Sequence, residues 1–194
     1  MLCFHQMATK SQIRAEDYLR MTFEHDAEFV HGEIVERSMP DLTHGRIQGL
    51  VVIEFGRLTR AHRLYPCVEV RMKVAPGVYR IPDVAVFAPP LPEVPVPDKP
   101  PLVVVEILSK DDRHSDLMQK LEEYRKWGVP HIWVIDPAMQ RFSMYTELGL
   151  QNVSSLVLSD YPFQLTPAEL FANLEDVLQD PDPVRRLSAH DVRA

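Results

Sequence analysis

Glycine is scarce in this chain and cysteine scarcer, and it has neither a long apolar run nor an excess of positive charge. Seven glycines stand against seventeen prolines in 194 residues, which argues against Gly-rich flexible linkers and for stiff, extended connections. The two cysteines, Cys3 and Cys67, lie far apart without CxxC or Cys/His spacing, so neither a zinc site nor a disulfide framework is indicated. No apolar stretch approaches the roughly 20 residues of a membrane helix, and the opening MLCFHQMATKSQ lacks the apolar centre of a secretory signal. A cytoplasmic protein with no membrane partner is expected. A net charge of -7 disfavours broad, sequence-independent binding to nucleic acid, which needs a basic footprint, although it is compatible with a local basic patch.

What is present is an ordinary globular composition, 45% hydrophobic and 25% charged, of a length that suits one domain. Residues 1–12 read as a flexible leader, 13–178 as the domain and 179–194 as a flexible tail. A short helix is expected over 13–21. His31-Gly32 then sits between two extended arms as a two-residue hairpin turn, and the second arm carries Glu33, Val35 and Arg37 on one side. Thr43 is a candidate N-cap for a helix over 44–62, in which Ile47, Leu50, Val51, Phe55 and Leu58 recur at helical spacing. Residues 67–74 alternate as one half-buried strand. Residues 79–87 form the next, with Pro82 arguing for an edge position or a strand start. A proline-rich loop spans 88–100. A helix over 115–127 is stopped by Gly128 and Pro130, and strands follow over 131–135, 141–146 at the edge, and 153–158. The order strand, helix, strand implies a parallel crossover. Thr166-Pro-Ala-Glu-Leu-Phe171 opens a last helix.

One residue is out of place in this pattern. Residues 102–108 form an apolar, β-branched run typical of a strand covered on both faces, yet Glu106 lies inside it. An unpaired buried carboxylate costs several kcal/mol or more, so Glu106 requires a proton, a cation or a metal. Strand alternation puts it on one face with Leu102, Val104 and Leu108. In the helix that follows, Leu117, Leu121 and Tyr124 form the core stripe, with Lys120 on its margin. Asp83, between Ile81 and Val84-Ala-Val-Phe87, is a second carboxylate in an apolar setting. If the two strands pair, both acids could reach one divalent ion. Two oxygen ligands and water suit Mg²⁺ or Mn²⁺. Such a pair with a nearby lysine is a minimal set for phosphodiester hydrolysis.

Arg80-Ile-Pro-Asp83-Val, Val105-Glu106-Ile-Leu-Ser109, Asp116, Lys120 with Tyr124, and Gly128-Val-Pro-His-Ile-Trp-Val-Ile-Asp136-Pro137 together resemble the Uma2 family of restriction-endonuclease-like proteins, a branch of the PD-(D/E)XK nuclease superfamily. Phe29-Val-His-Gly-Glu33-Ile-Val and His44 resemble its opening hairpin and first helix. The resemblance covers about residues 13 to 175. It implies an α/β fold with a restriction-endonuclease-like core, a mixed central β-sheet flanked by α-helices. It further implies Asp83 and Glu106 as ligands of Mg²⁺ or Mn²⁺, with Lys120 as the catalytic lysine and Glu33 as a further metal ligand. The superfamily places its lysine two residues after the glutamate, where this chain has Leu108; in the Uma2 branch it is carried by the following helix. His44, Asp116 and Tyr124 are accessory candidates, and DNA is the implied substrate.

Each residue taken singly also has a structural explanation. Asp83 could bond its own backbone after Pro82, Glu106 could belong to a buried ion pair, and Lys120 could pair with Asp116 one helical turn away. Tyr124 and Trp127 read as packing, and Arg71, Lys73 and Arg80 as charge on the open face of a strand. Two functions therefore stand. One is a metal-dependent DNA endonuclease, and the other a non-catalytic module for binding or for assembly as a homodimer through an exposed edge strand.

Overall fold

The computed structural model describes residues 12–24 and 26–179. Along the chain run α1 (Ala15–Tyr18), β1 (Ala27–Val30), β2 (Glu33–Glu36), α2 (Leu42–His62), β3 (Tyr65–Val68), β4 (Met72–Ala75), β5 (Val78–Arg80) and β6 (Val84–Phe87). They are followed by β7 (Val103–Ile107), α3 (His114–Trp127), β8 (His131–Asp136), β9 (Arg141–Thr146), β10 (Gly149–Val153), β11 (Leu156–Leu158), β12 (Phe163–Leu165) and α4 (Pro167–Gln179). Six strands form a mixed sheet in the order β10-β9-β8-β7-β6-β3, and four form a second sheet, β2-β1-β5-β4. The expected parallel crossover is β7-α3-β8.

The apolar run around Glu106 lies in the middle of the larger sheet because both of its faces are covered. Val103, Val105 and Ile107 pack with Ile47, Val51 and Phe55 of α2 and with Leu170 and Phe171 of α4. Val104, on the opposite face, packs with Leu121 and Tyr124 of α3. Aromatic rings extend the first core, with Phe55 stacked on Phe163 at 4.2 Å between centroids. A smaller cluster of Tyr18, Phe29 and Tyr79 secures α1 to the four-stranded sheet.

The largest departure from the sequence reading is that two apparent strands are each divided between the two sheets. Residues 67–74 split at Glu69, whose φ of 52° lies in the left-handed region. β3 before it belongs to the larger sheet and β4 after it to the smaller. Residues 79–87 split at Ile81-Pro82-Asp83, where β5 leaves the smaller sheet and β6 enters the larger. Pro82 has no N–H for a ladder, which suits it to the crossing. Glu69 N–H donates to the Asp83 carbonyl at 3.3 Å, so the two crossings are tied together. Period-two alternation runs through the first break and a nearly continuous apolar, buried run through the second, and these conceal the crossings.

Smaller differences have local causes. The first helix is one turn, Ala15–Tyr18. β9 is not the edge, because β10 pairs outside it, and 153–158 divides between β10 and β11. The hairpin turn is as expected, with His31 and Gly32 at φ 48° and 94°. So is the end of α3 at Gly128, φ 99°. At α4, Thr166 and Glu169 form a capping box, with Glu169 N donating to Thr166 Oγ1 (3.2 Å) and Thr166 N to the Glu169 carboxylate (2.8 Å). Apart from their boundary residues, the leader and tail expected at 1–12 and 179–194 lie outside the described residues. Among the described residues no helix is long and apolar enough to cross a membrane.

The N-cap of α2 is Asp41 rather than Thr43, since Asp41 Oδ1 accepts from His44 N at 2.8 Å. Thr43 is already helical. Asp41→Ala is therefore expected to cost about 1 kcal/mol of stability, measured by urea unfolding, with Asp41→Asn close to the parent. Equal loss in Thr43→Ala and none in Asp41→Ala would contradict this assignment.

Candidate active site

The β6–β7 ladder pairs Val84 with Val105, so one step beyond it Asp83 comes opposite Glu106. The ladder ends there because the chain is crossing between sheets, and the Asp83 side chain takes over a backbone role. Its Oδ2 accepts from Ile107 N at 2.7 Å. The same oxygen faces His44 Nε2 at 3.3 Å, while Oδ1 accepts from Arg37 Nη2 at 2.9 Å. The helix α3 covers the β7 face that carries Glu106. One turn apart on that helix, Lys120 Nζ donates to Glu106 Oε2 at 3.0 Å and Tyr124 Oη donates to Oε1 at 2.9 Å. Lys120 also lies 2.9 Å from Glu28 Oε1. Glu28 in turn accepts from Arg80 Nη1 (2.8 Å) and from Ile81 N (2.9 Å).

Asp83, Glu106, Lys120, His44 and Glu28 line one cavity of about 290 Å³. Asp116 stands exposed at its rim, accepting from Ser115 Oγ at 2.9 Å. Tyr124 is fully buried and reaches the site through its hydroxyl. Glu33 is placed elsewhere: it is exposed and does not line this cavity. The hairpin register explains this. Glu33 pairs with Val30 beside the turn, whereas Glu28 pairs with Val35, which lines the cavity. Glu33 is two strand residues, roughly 7 Å, short of that position. The hairpin acid that reaches Lys120 is Glu28, and the sequence reading missed it. The available signal was a carboxylate opening an otherwise apolar arm. Arg37, placed on one side of its arm but given no role, also belongs to the site. Arg80 is not on an open face but 5% exposed, held by Glu28 and by Glu123 at 2.6 Å.

Burial pushes the Glu106 carboxyl up to about 7, with the charges of Asp83 and Glu28 adding to the effect and Lys120 opposing it. Burial would discharge Lys120, but Glu106, then Glu28 and Asp83, hold its pKa above the ordinary lysine value. Asp83 is held below the usual carboxylate range. Burial opposes this, but the His44 hydrogen bond, the Lys120 charge and Ile107 N–H outweigh it. Glu28 is likewise low, since Lys120 and Arg80 outweigh its burial. His44 is raised, the Asp83 contact overcoming burial.

The Glu106 shift has a signed consequence for stability. Between the ordinary carboxyl value near 4.5 and about 7, the folded state binds more protons than the unfolded one, so stability is lost as pH rises through that window. Glu106→Gln is expected to remove this component and flatten the melting temperature between pH 5 and 7.5. Parallel curves for the two proteins across that range would contradict the assignment.

Among the described residues, no group of three or more His, Cys, Asp and Glu side chains is arranged to hold a metal ion. A two-carboxylate site fits better. An ionised carboxylate offers about four acceptor positions; Asp83 has three contacts and Glu106 two. Both therefore retain acceptor capacity within one cavity, as hard oxygen donors of the kind Mg²⁺ and Mn²⁺ accept when water completes the shell.

Comparison with known proteins agrees with this architecture. A search of curated protein sequences finds no significant match. Among solved structures, the fold is similar to the crystal structure of a putative nuclease belonging to DUF820 from Anabaena variabilis, with a TM-score of 0.73 and 21% identity, covering 81% of this chain and 96% of that one. The sequence model of Uma2, described as a putative restriction endonuclease, matches residues 15–179. With the match running from the first helix to the last, this chain belongs to the Uma2 family.

Proposed function

We propose that the protein is a metal-dependent endonuclease that hydrolyses DNA phosphodiesters. The observation that carries this reading is the placement of Lys120 against Glu106 in the same cavity as Asp83, since carboxylate, carboxylate and ammonium are what such a hydrolysis needs. Asp83 and Glu106 hold Mg²⁺ or Mn²⁺. Such an ion, when bound, supplies Lewis acidity and an acidified water. Lys120 stays protonated, so it acts as a donor: it orients the attacking water and stabilises charge developing on the phosphoryl oxygens. Glu28, at 2.9 Å, is a second acid that keeps Lys120 in place. Tyr124 fixes the Glu106 carboxylate, and His44 with Ile107 N–H fixes that of Asp83. Asp116 serves at the rim.

The test is a cleavage screen of duplex, single-stranded and branched DNA with Mg²⁺ or Mn²⁺, with Asp83→Ala and Lys120→Ala as controls. No cleavage by the parent protein, or cleavage unchanged in both variants, ends this reading.

A second reading, a non-catalytic module that keeps the fold, is favoured by the rim. Glu36, Glu69, Asp111, Asp112 and Asp116 all line the cavity and repel a polyanion. Pairing of two copies would use an edge of the larger sheet, β3 or β10. Calorimetry separates the readings: divalent-ion uptake that disappears in Glu106→Gln supports the enzyme, and no uptake supports the module. A cytoplasmic setting accompanies either reading.

A further inference from the structure

The two oxygens of Asp83 are differently employed. Oδ2 is anchored to the frame by Ile107 N and His44, whereas Oδ1 accepts from the Arg37 guanidinium. Arg37 follows the last residue of β2, and its side chain is 18% exposed. Its other terminal nitrogen, Nη1, lies 3.6 Å from Glu69 Oε1, and the Glu69 side chain is 42% exposed. Glu69 is fixed relative to Asp83, because its N–H donates to the Asp83 carbonyl. One guanidinium is thus shared between a buried carboxylate and an exposed one on a common backbone frame.

On the reading of Asp83 as an ion ligand, we propose that Arg37 is a resident counter-cation that competes with a divalent ion at Asp83 Oδ1, with Glu69 receiving the guanidinium at the mouth of the cavity when the ion binds. A divalent ion and the guanidinium are drawn to the same oxygen. Arginine does not deprotonate in proteins, so Arg37 can yield this place only by moving. Glu69 lies within reach of that movement, and a guanidinium held there faces an entering phosphate, which it can grip with two parallel hydrogen bonds. Ion affinity is therefore low in the free protein and rises when a phosphate holds Arg37, a reciprocal coupling between ion and substrate.

Titration calorimetry of the full chain with MnCl₂ tests this without reference to cleavage. Arg37→Gln, which removes the competitor, is expected to bind Mn²⁺ about tenfold more tightly than the parent, within the usual range of coupling between two ligands. Arg37→Lys, which keeps the charge but loses the fork that spans both carboxylates, falls between them. Glu69→Gln acts in the opposite direction: Arg37 loses its second dock, stays on Asp83, and Mn²⁺ binding weakens several-fold. Mn²⁺ affinity in Arg37→Gln equal to or below that of a parent that binds the ion would overturn the inference and leave the metal reading intact, as would tighter binding by Glu69→Gln. Absence of uptake by both the parent and Arg37→Gln would overturn the metal reading and this inference together.

Discussion

Lys120→Ala is expected to lose about 3–5 kcal/mol of stability at pH 8, the usual cost of breaking a buried ion pair from one side. The ammonium is shared by Glu28 at 2.9 Å and Glu106 at 3.0 Å, so its removal strands charge in a site where neither acid is more than 6% exposed. The loss should be smaller at pH 5.5. Glu106 titrates near 7 in the parent and higher still without its cation, so at low pH it takes a proton and the stranded charge is relieved. Glu28 then keeps Arg80 as its partner. Urea unfolding at the two pH values measures the difference directly, and a loss below about 1 kcal/mol at pH 8, the scale of an exposed pair, would show that the ammonium is not buried between the two acids. Any DNA cleavage by the parent should fall by about 10²–10³ in the same variant, the typical effect of removing one donor aimed at transition-state charge.

Glu28→Ala should be comparably destabilising, by about 3–5 kcal/mol, but with a different pH signature. Glu28 is the shared counter-ion of Lys120 and Arg80 and the acceptor for Ile81 N–H. Its loss leaves Arg80, 5% exposed, with Glu123 as its remaining acid. A guanidinium cannot shed its charge in this pH range, so the penalty should persist at both pH 5.5 and pH 8. Glu28→Gln keeps an oxygen for Ile81 N–H and should lose less. Unfolding curves of Glu28→Ala superimposable on the parent would show that Glu28 is peripheral to the site. The contrast between the two alanine variants separates a carboxyl that can neutralise itself from a guanidinium that cannot.

These variants bear on how resting charge is distributed. Asp83 and Glu28 are held ionised by cations and N–H groups close to them. Glu106, buried with them, is instead pushed up to about 7. A divalent ion entering between Asp83 and Glu106 would favour the ionised form of Glu106 and so release a proton on binding. The same entry would compete, on the proposed function, with the Arg37 contact on Asp83 Oδ1. On the proposed function, ion binding, proton release and movement of Arg37 are thus parts of one exchange of positive charge.

Much of this arrangement could be read in the linear chain. A β-branched run with a glutamate inside it marks a central strand and a costly side chain at once, because apolar burial and carboxylate desolvation are local properties of residues 102–108. The four-residue spacing of Lys120 and Tyr124 needs nothing beyond the helical period, and Gly128, His31-Gly32 and Thr166-Pro167 carry their own backbone preferences. Those same patterns were silent wherever the chain changes sheet. Alternation continues across Glu69 and a buried, mostly apolar run continues across Pro82-Asp83, and neither pattern records which sheet a strand joins.

The sequence alone determined the α/β class, the central strand, the helix that follows it, and the need of Glu106 for a proton, a cation or a metal. The tertiary structure decided which side chains meet that need. It brought Glu28 rather than Glu33 to the cavity, through the register of the first hairpin, and it turned Arg37 onto Asp83. It also set Asp83 opposite Glu106 by the pairing of β6 with β7. Register and sheet crossing are relations between distant segments, and a carboxylate's neighbours in space follow from those relations rather than from its neighbours along the chain.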